Sequence, residues 1–200
     1  MTPERKERLI STLNKRQANL TVVLEDVQDP HNVSAVLRTC DAIGIQDIYI
    51  INSMAPRRKK WGHRSSSSAA RWLTTHQFDN AAECMAAVRK KYEKIFTTHL
   101  ATDAVSLYDI DFKGSIALVF GNEQNGVSES VRALADGNFI IPQMGIIKSL
   151  NISVACAVSI YEAMRQKMLA GHYAQQSLPA EQYNMLLTDW GFREGDLDEE

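Results

Sequence analysis

Apolar residues follow two alternating spacings along the chain. TVVLED (21–26) and IYII (48–51) are short, nearly continuous apolar runs, as expected of strands buried on both faces. Between them, after Asp29-Pro30, Val33, Val36, Leu37, Cys40 and Ile43 recur every three or four residues and stop at Gly44, which predicts a helix over 32–43. A strand, a helix and a strand of these lengths make a parallel crossover unit. The alternation continues with a helix over 81–92, strands over 94–98 and 116–120, a helix around 128–135 and a strand over 138–141. This pattern predicts an α/β fold, a parallel sheet with helices on both faces. Residues 151–169 are apolar or small nearly all round, so they form a helix that is either buried or shared with a second copy of the chain. Their small side chains permit close packing and favour a dimer. A polar helix over 4–16 precedes the first strand, and a helix over 179–190 precedes the acidic end GDLDEE. Residues 52–68 lack any apolar period and read as a loop.

Composition narrows the class. No run reaches the about 18–20 apolar residues of a membrane span, and the N-terminus MTPERKERLISTLNKRQ lacks the apolar centre of a secretory signal, which predicts a cytoplasmic protein. Glu4 and Glu7 argue against a mitochondrial presequence. Cys40, Cys84 and Cys156 are odd in number and far apart within apolar patterns, so they read as core residues; neither a disulfide framework nor a metal site is expected. The net charge of −2 conceals an asymmetry: residues 1–94 hold 16 basic against 10 acidic side chains, and residues 95–200 hold 6 against 14. Arg5, Arg8 and Arg16, then Arg57, Arg58, Lys59, Lys60 and Arg64, are clustered as expected of a phosphate-contacting surface.

Three segments carry candidate chemistry. In DPHNVSAVLRTCDAIG (29–44), Asn32 sits where a helix N-cap belongs, and Arg38 lies farther along with a side chain leaning back towards the same end. In VFGNEQNGVSES (119–130), a strand enters a glycine-containing turn; Gly121 would let backbone approach a ligand, Gly126 supplies the turn, and Glu123 places a carboxylate at the sheet's C-terminal edge. This string matches neither the phosphate loop ending in Gly-Lys-Ser/Thr nor the dinucleotide G-x-G-x-x-G pattern. In the segment 141–163, Pro142 and Gly145 break the chain and SLN (149–151) opens the apolar helix. Each segment alone has a plain structural role as a cap or turn. Together, in this order and each at the end of a buried strand, they point to one composite site.

The motifs N-x5-R (Asn32 to Arg38), GNE (Gly121 to Glu123) and SLN-x-S (Ser149 to Ser153) resemble the SpoU/TrmH branch of the SPOUT methyltransferases, over about residues 4–175. The resemblance implies an α/β domain over 20–172 with a C-terminal trefoil knot, between a basic helical extension (1–19) and a C-terminal helix with an acidic tail (173–200). It also implies a homodimer, S-adenosyl-L-methionine as cofactor and RNA as substrate. Carried over, the cofactor pocket includes Thr98, Gly121, Ile141 and Leu150, shaped by Ser149 and Asn151, and Arg38 is catalytic, assisted by Asn32 and Glu123. The short basic N-terminus resembles the branch that methylates the ribose of the guanosine at position eighteen of tRNA, whereas the segment after Tyr173 departs from that branch's longer, more basic tail. Methylation of another tRNA or rRNA nucleotide, and a non-catalytic RNA-binding dimer, are the alternatives. Since a guanidinium in a protein stays charged, Arg38 is expected to bind phosphate and stabilise the forming alkoxide rather than to act as a simple base.

Overall fold

Short polar residues start the helices where the apolar period begins. The computed structural model describes residues 1–54, 69–102 and 104–193. Thr2 accepts the Arg5 amide to cap α1 (Pro3–Leu13), and Asp29 accepts the His31 amide at 2.8 Å to cap α2 (Pro30–Ile43). In both helices a proline occupies the first turn, where its missing N–H is not needed. Gly44 ends α2 at φ 87°, and a side chain there would bring its Cβ within 2.6 Å of the Lys15 carbonyl oxygen. Asn80 caps α3 (Ala81–Lys91), Ser128 caps the single turn α4 (Glu129–Arg132) and Asn151 caps α5 (Ile152–Leu169); α6 (Ala180–Asp189) follows.

The strands are β1 (Leu20–Glu25), β2 (Asp47–Ile51), β3 (Thr74–Phe78), β4 (Lys94–Thr98), β5 (Val105–Ser106), β6 (Ile116–Phe120) and β7 (Gly137–Ile140). They form one parallel sheet in the order β3-β2-β1-β6-β4-β7-β5. β1, β2 and β6 are buried at every position, as their apolar runs predict. Side-chain alternation along β1 sends Val22 and Leu24 to a core with α2 and α5 (Val36, Leu37, Cys40, Cys156, Ile160). Val23 faces the other core, with α3 and α4 (Cys84, Val88, Val131). All three cysteines are free and buried. A third cluster joins the two ends of the chain: Leu9 and Leu13 of α1 pack with Leu186, Leu187 and Trp190 of and beside α6.

The N-terminal edge of the sheet holds buried charges, each with partners. Asp47 Oδ2 accepts from Lys91 Nζ at 2.6 Å and Gln182 Nε2 at 2.8 Å, and His76 Nε2 lies 2.8 Å from Oδ1. Burial alone would raise this carboxyl, but the hydrogen bonds and the Lys91 charge outweigh it and hold the pKa at about 2. Arg16, expected to contact RNA, is fully buried: its guanidinium donates to Asp41 Oδ1 at 2.6 Å and to the Ile45 carbonyl at 3.1 Å. Lys167 donates to Asn19 Oδ1 at 2.9 Å and to the Gly114 carbonyl at 3.0 Å; burial pulls its ammonium down to about 8. No helix among the described residues is long and apolar enough to cross a membrane.

Candidate active site

β1, β2 and β3 run outward in chain order on one side, and the chain then crosses β1 so that β6 pairs with its other edge. This reversal opens a crevice at the C-terminal ends of β1 and β6, the place where open parallel sheets bind ligands. The first turn of α2, the turn after β6 and the N-terminus of α5 meet here.

One directed chain of hydrogen bonds ties these segments together. Asn32 Nδ2 donates to Glu123 Oε1 at 2.7 Å, and Asn151 Nδ2 donates to Asn32 Oδ1 at 3.1 Å. Asn151 Oδ1 in turn accepts from the Ser153 amide at 2.8 Å and the Ser153 hydroxyl at 2.6 Å. A carboxylate can only accept, so Glu123 fixes the Asn32 amide orientation, which fixes Asn151, whose carbonyl then faces the start of α5. The helix cap of α5 and the polar network are the same side chain. Asn32, by contrast, is not a cap: Asp29 takes that role, and Asn32, inside the first turn, is free to span to Glu123. The DPHN string holds both cap candidates, and Pro30 decides for Asp29 because proline favours the first helical position.

The Glu123 turn is closed by its own backbone. The Gly126 amide donates to the Asn122 carbonyl at 2.8 Å, and Asn122 Oδ1 accepts from the Gln124 amide at 2.8 Å. A Cβ on Gly121 would lie 2.1 Å from the Gly126 carbonyl carbon. The bare Cα of Gly121 therefore makes room for the protein's own turn. Gly126 itself turns at φ +67°.

The remaining expected residues are spread around the crevice. Thr98 ends β4 half-buried, its hydroxyl donating to the Val119 carbonyl at 3.3 Å. Ile141 and Leu150 are half-buried and Ser149 is exposed, flanking the stretch 142–148, whose Met144, Ile146 and Ile147 are exposed. Arg38 is exposed six residues beyond Asn32, about 9 Å along the helix axis and on a different face. It makes no hydrogen bond or ion pair among the described residues, so within one chain the structure does not join it to the network. Arg5 and Arg8 are exposed on α1, while Arg57, Arg58, Lys59, Lys60 and Arg64 lie outside the described residues.

Sequence reasoning missed the residues that brace the crevice. Glu25, at the end of β1, accepts from the Ser128 amide at 2.9 Å and the Ser128 hydroxyl at 2.5 Å, anchoring α4. Asp26 adopts φ 49°; its carboxylate accepts from the Ser53 hydroxyl at 2.5 Å and the Met54 amide at 3.0 Å, and its carbonyl accepts from Asn122 Nδ2 at 2.9 Å. His99 Nε2 lies 2.5 Å from Arg132 Nη1, linking the end of β4 to α4. The available signal was Glu25-Asp26, two acids directly after a buried run, where a strand has no need of charge.

Residues 19–161 match the model of the SpoU rRNA Methylase family, and this match spans more than half of the chain. The chain belongs to this family. Among its relatives is the tRNA (guanosine(18)-2'-O)-methyltransferase of Thermus thermophilus, 37% identical over 94% of this chain and 96% of the relative. The crystal structure of an A. aeolicus TrmH/SpoU tRNA modifying enzyme superposes with a TM-score of 0.85 at 32% identity, covering 94% of each chain. The SpoU methyltransferase AviRb from Streptomyces viridochromogenes, solved with the cofactor AdoMet, matches with a TM-score of 0.68 at 26% identity over 80% of this chain and 62% of that one. Family membership thus agrees with the parallel α/β sheet and with the motifs that meet at the crevice.

Proposed function

We propose that the protein transfers a methyl group from S-adenosyl-L-methionine to the ribose 2'-hydroxyl of guanosine 18 in tRNA. The observation that carries this reading is the hydrogen-bonded chain Glu123–Asn32–Asn151 at the sheet's C-terminal edge, in a protein similar nearly end to end to enzymes named for that reaction.

The crevice suits the cofactor chemically. Leu100 is 67% exposed just after β4, and Ile141 and Leu150 are half-buried nearby, so apolar surface is available to an adenosine beside the polar network. Glu123 offers a carboxylate of the charge that complements a sulfonium. Thr98, Gly121, Ile141, Ser149, Leu150 and Asn151 would hold the cofactor, which when bound supplies an electrophilic methyl. The chain's own residues do the rest. Glu123 and Asn151 fix the Asn32 amide, so the first turn of α2 presents a rigid polar edge to the acceptor ribose. Arg38, a guanidinium with no partner among the described residues, binds a neighbouring phosphate and stabilises the oxygen as it loses its proton to phosphate or water.

A homodimer completes the assembly. Val154, Tyr161, Met168 and Leu169 on α5, with Met144, Ile146 and Ile147 before it, are exposed apolar side chains that a second copy would cover. In this reading the segment from β7 through α5 threads a trefoil knot, Arg5, Arg8 and the basic run 57–64 contact tRNA, and the enzyme works in the cytoplasm. The test is incubation of the purified protein with S-adenosylmethionine and an unmodified tRNA transcript, followed by mass-spectrometric mapping. One 2'-O-methylguanosine at position 18 is expected. A transcript left unmethylated at every ribose overturns the proposal.

A further inference from the structure

β4 leaves the sheet at Thr98, and the residues after it are held by few backbone bonds. Thr98 pairs with Phe139 of β7, the His99 amide reaches the Phe139 carbonyl at 3.4 Å, and the His99 carbonyl accepts from the Ala101 amide at 3.1 Å. A good N–H···O bond is about 2.9–3.0 Å long, so the His99 amide is a weak tether. The turn it starts carries Leu100, 67% exposed, out beside the crevice. Thr98 and Leu100 both belong to the proposed cofactor site.

The short restraint on this turn comes from a side chain. Arg132 Nη1 lies 2.5 Å from His99 Nε2. A guanidinium can only donate, so Nε2 accepts, the imidazole is neutral and its proton sits on Nδ1. The arginine projects from a fixed point: Val131 beside it is fully buried, the Ser128 cap is anchored to Glu25 at the end of β1, and the Leu134 carbonyl accepts from Arg89 at 3.0 Å. α4 also follows the turn that carries Glu123, so it stands between the turn after β6 and the turn after β4. Packing alone does not account for Arg132. Its Nε is buried without a hydrogen-bond partner, a penalty that an apolar residue there would not carry, and His99 is the one partner of its side chain among the described residues.

We propose that Arg132 is a positioning residue for cofactor binding: acting through His99, it fixes the turn after β4 so that Thr98 and Leu100 keep one arrangement towards S-adenosyl-L-methionine. Ordering a loop before the ligand arrives strengthens binding, because the entropy of ordering is not lost at each encounter. Arg132 therefore acts on affinity for the cofactor and not on the rate of transfer once the cofactor is bound. The assignment rests on the crevice being the cofactor site, and it adds a pair of residues on the α4 side of the sheet to the Glu123–Asn32–Asn151 network on the α2 and α5 side.

The test is isothermal titration of the full-length protein with S-adenosylmethionine, comparing wild type, Arg132→Leu, Arg132→Lys, His99→Phe and the double variant Arg132→Leu/His99→Phe. Arg132→Leu and His99→Phe should each weaken binding about tenfold, and the double variant should be no weaker than either, because both changes remove the same contact. Arg132→Lys, which still donates to the imidazole, should recover most of the loss. Arg132→Leu should melt no lower than the wild type, since the orphaned Nε is gone, and at saturating cofactor its kcat on tRNA should stay within about twofold. A side chain needed only for folding would lower the melting temperature and leave the Kd of the folded protein unchanged, which would overturn the proposal. Effects that multiply in the double variant would overturn it too, since Arg132 would then not act through His99. Unchanged affinity in Arg132→Leu, with the wild type binding, refutes this assignment and leaves the crevice reading standing. A wild-type protein that does not bind S-adenosylmethionine refutes the crevice reading and this assignment with it.

Discussion

The two edges of one sheet use similar polar side chains to opposite ends. At the N-terminal edge Asp47 and Arg16 are buried and Lys167 is enclosed, and each charged head has close partners: His76, Lys91 and Gln182 for Asp47, Asp41 for Arg16, Asn19 and a carbonyl for Lys167. At the C-terminal edge Glu123 and Asn151 are exposed and one thread of hydrogen bonds crosses three segments, while Arg38, farther along α2, is exposed with no partner among the described residues. Paired and buried polar groups fix the geometry of a fold; exposed ones held in place from behind retain hydrogen-bonding capacity for a substrate. The difference teaches that the identity of a polar residue says less about its role than whether its neighbours already satisfy it.

Substitutions at the two edges should therefore fail in different ways. The largest effect is expected for Arg38→Ala: turnover on tRNA should fall by about a thousandfold or more, with thermal stability unchanged and cofactor affinity within a few fold. Parallel loss of cofactor binding by calorimetry would move Arg38 to the structural side of the comparison. Next is Gly121→Ala, in which the new Cβ meets the Gly126–Val127 backbone at 2.1–2.2 Å. Reshaping that turn should cost about 3 kcal/mol and weaken cofactor binding with it, read by denaturant unfolding and calorimetry.

Asp47→Asn sharpens the contrast from the other edge. The folded Asp47 carboxyl at about 2 lies below its ordinary 3.8, so its contribution is fully present above pH 4 and is lost as pH falls towards 2. The variant should lose about 2 kcal/mol at neutral pH and melt roughly 4–8 °C lower, while keeping its KM for tRNA. Its stability should also decline less steeply than the wild type's between pH 4 and pH 2. The smallest effect concerns Arg57, Arg58, Lys59 and Lys60: replacing all four by Ala should flatten the salt dependence of tRNA affinity by up to about one logarithmic unit of slope per lost phosphate contact. An unchanged slope would place the RNA elsewhere.

The regular elements were legible because burial leaves a period. The runs at 21–26 and 48–51 and the stripe from Val33 to Ile43 correspond to β1, β2 and α2. β3 was missed because Thr74–Phe78 is half-buried throughout and mixes His76 and Gln77 with apolar residues, so neither alternation nor a continuous run appears. β5 is two residues long and leaves no period at all. The segments of the site were legible as motifs, and the structure brings Asn32, Glu123 and Asn151 into contact. What could not be read was tertiary satisfaction: Arg16 looks like another basic residue of the N-terminus, and only the fold shows Asp41 beside it. Likewise, Pro30 marks Asp29 as the cap of α2, but that Asn32 bridges to Glu123 is seen only in the fold.

The most direct measurement is a crystal structure with S-adenosylmethionine bound. Density for the cofactor among Thr98, Gly121, Ile141 and Leu150, next to the Asn32–Glu123–Asn151 network, is the predicted result. A cofactor seated at the opposite edge of the sheet, or anywhere out of reach of that network, would contradict it.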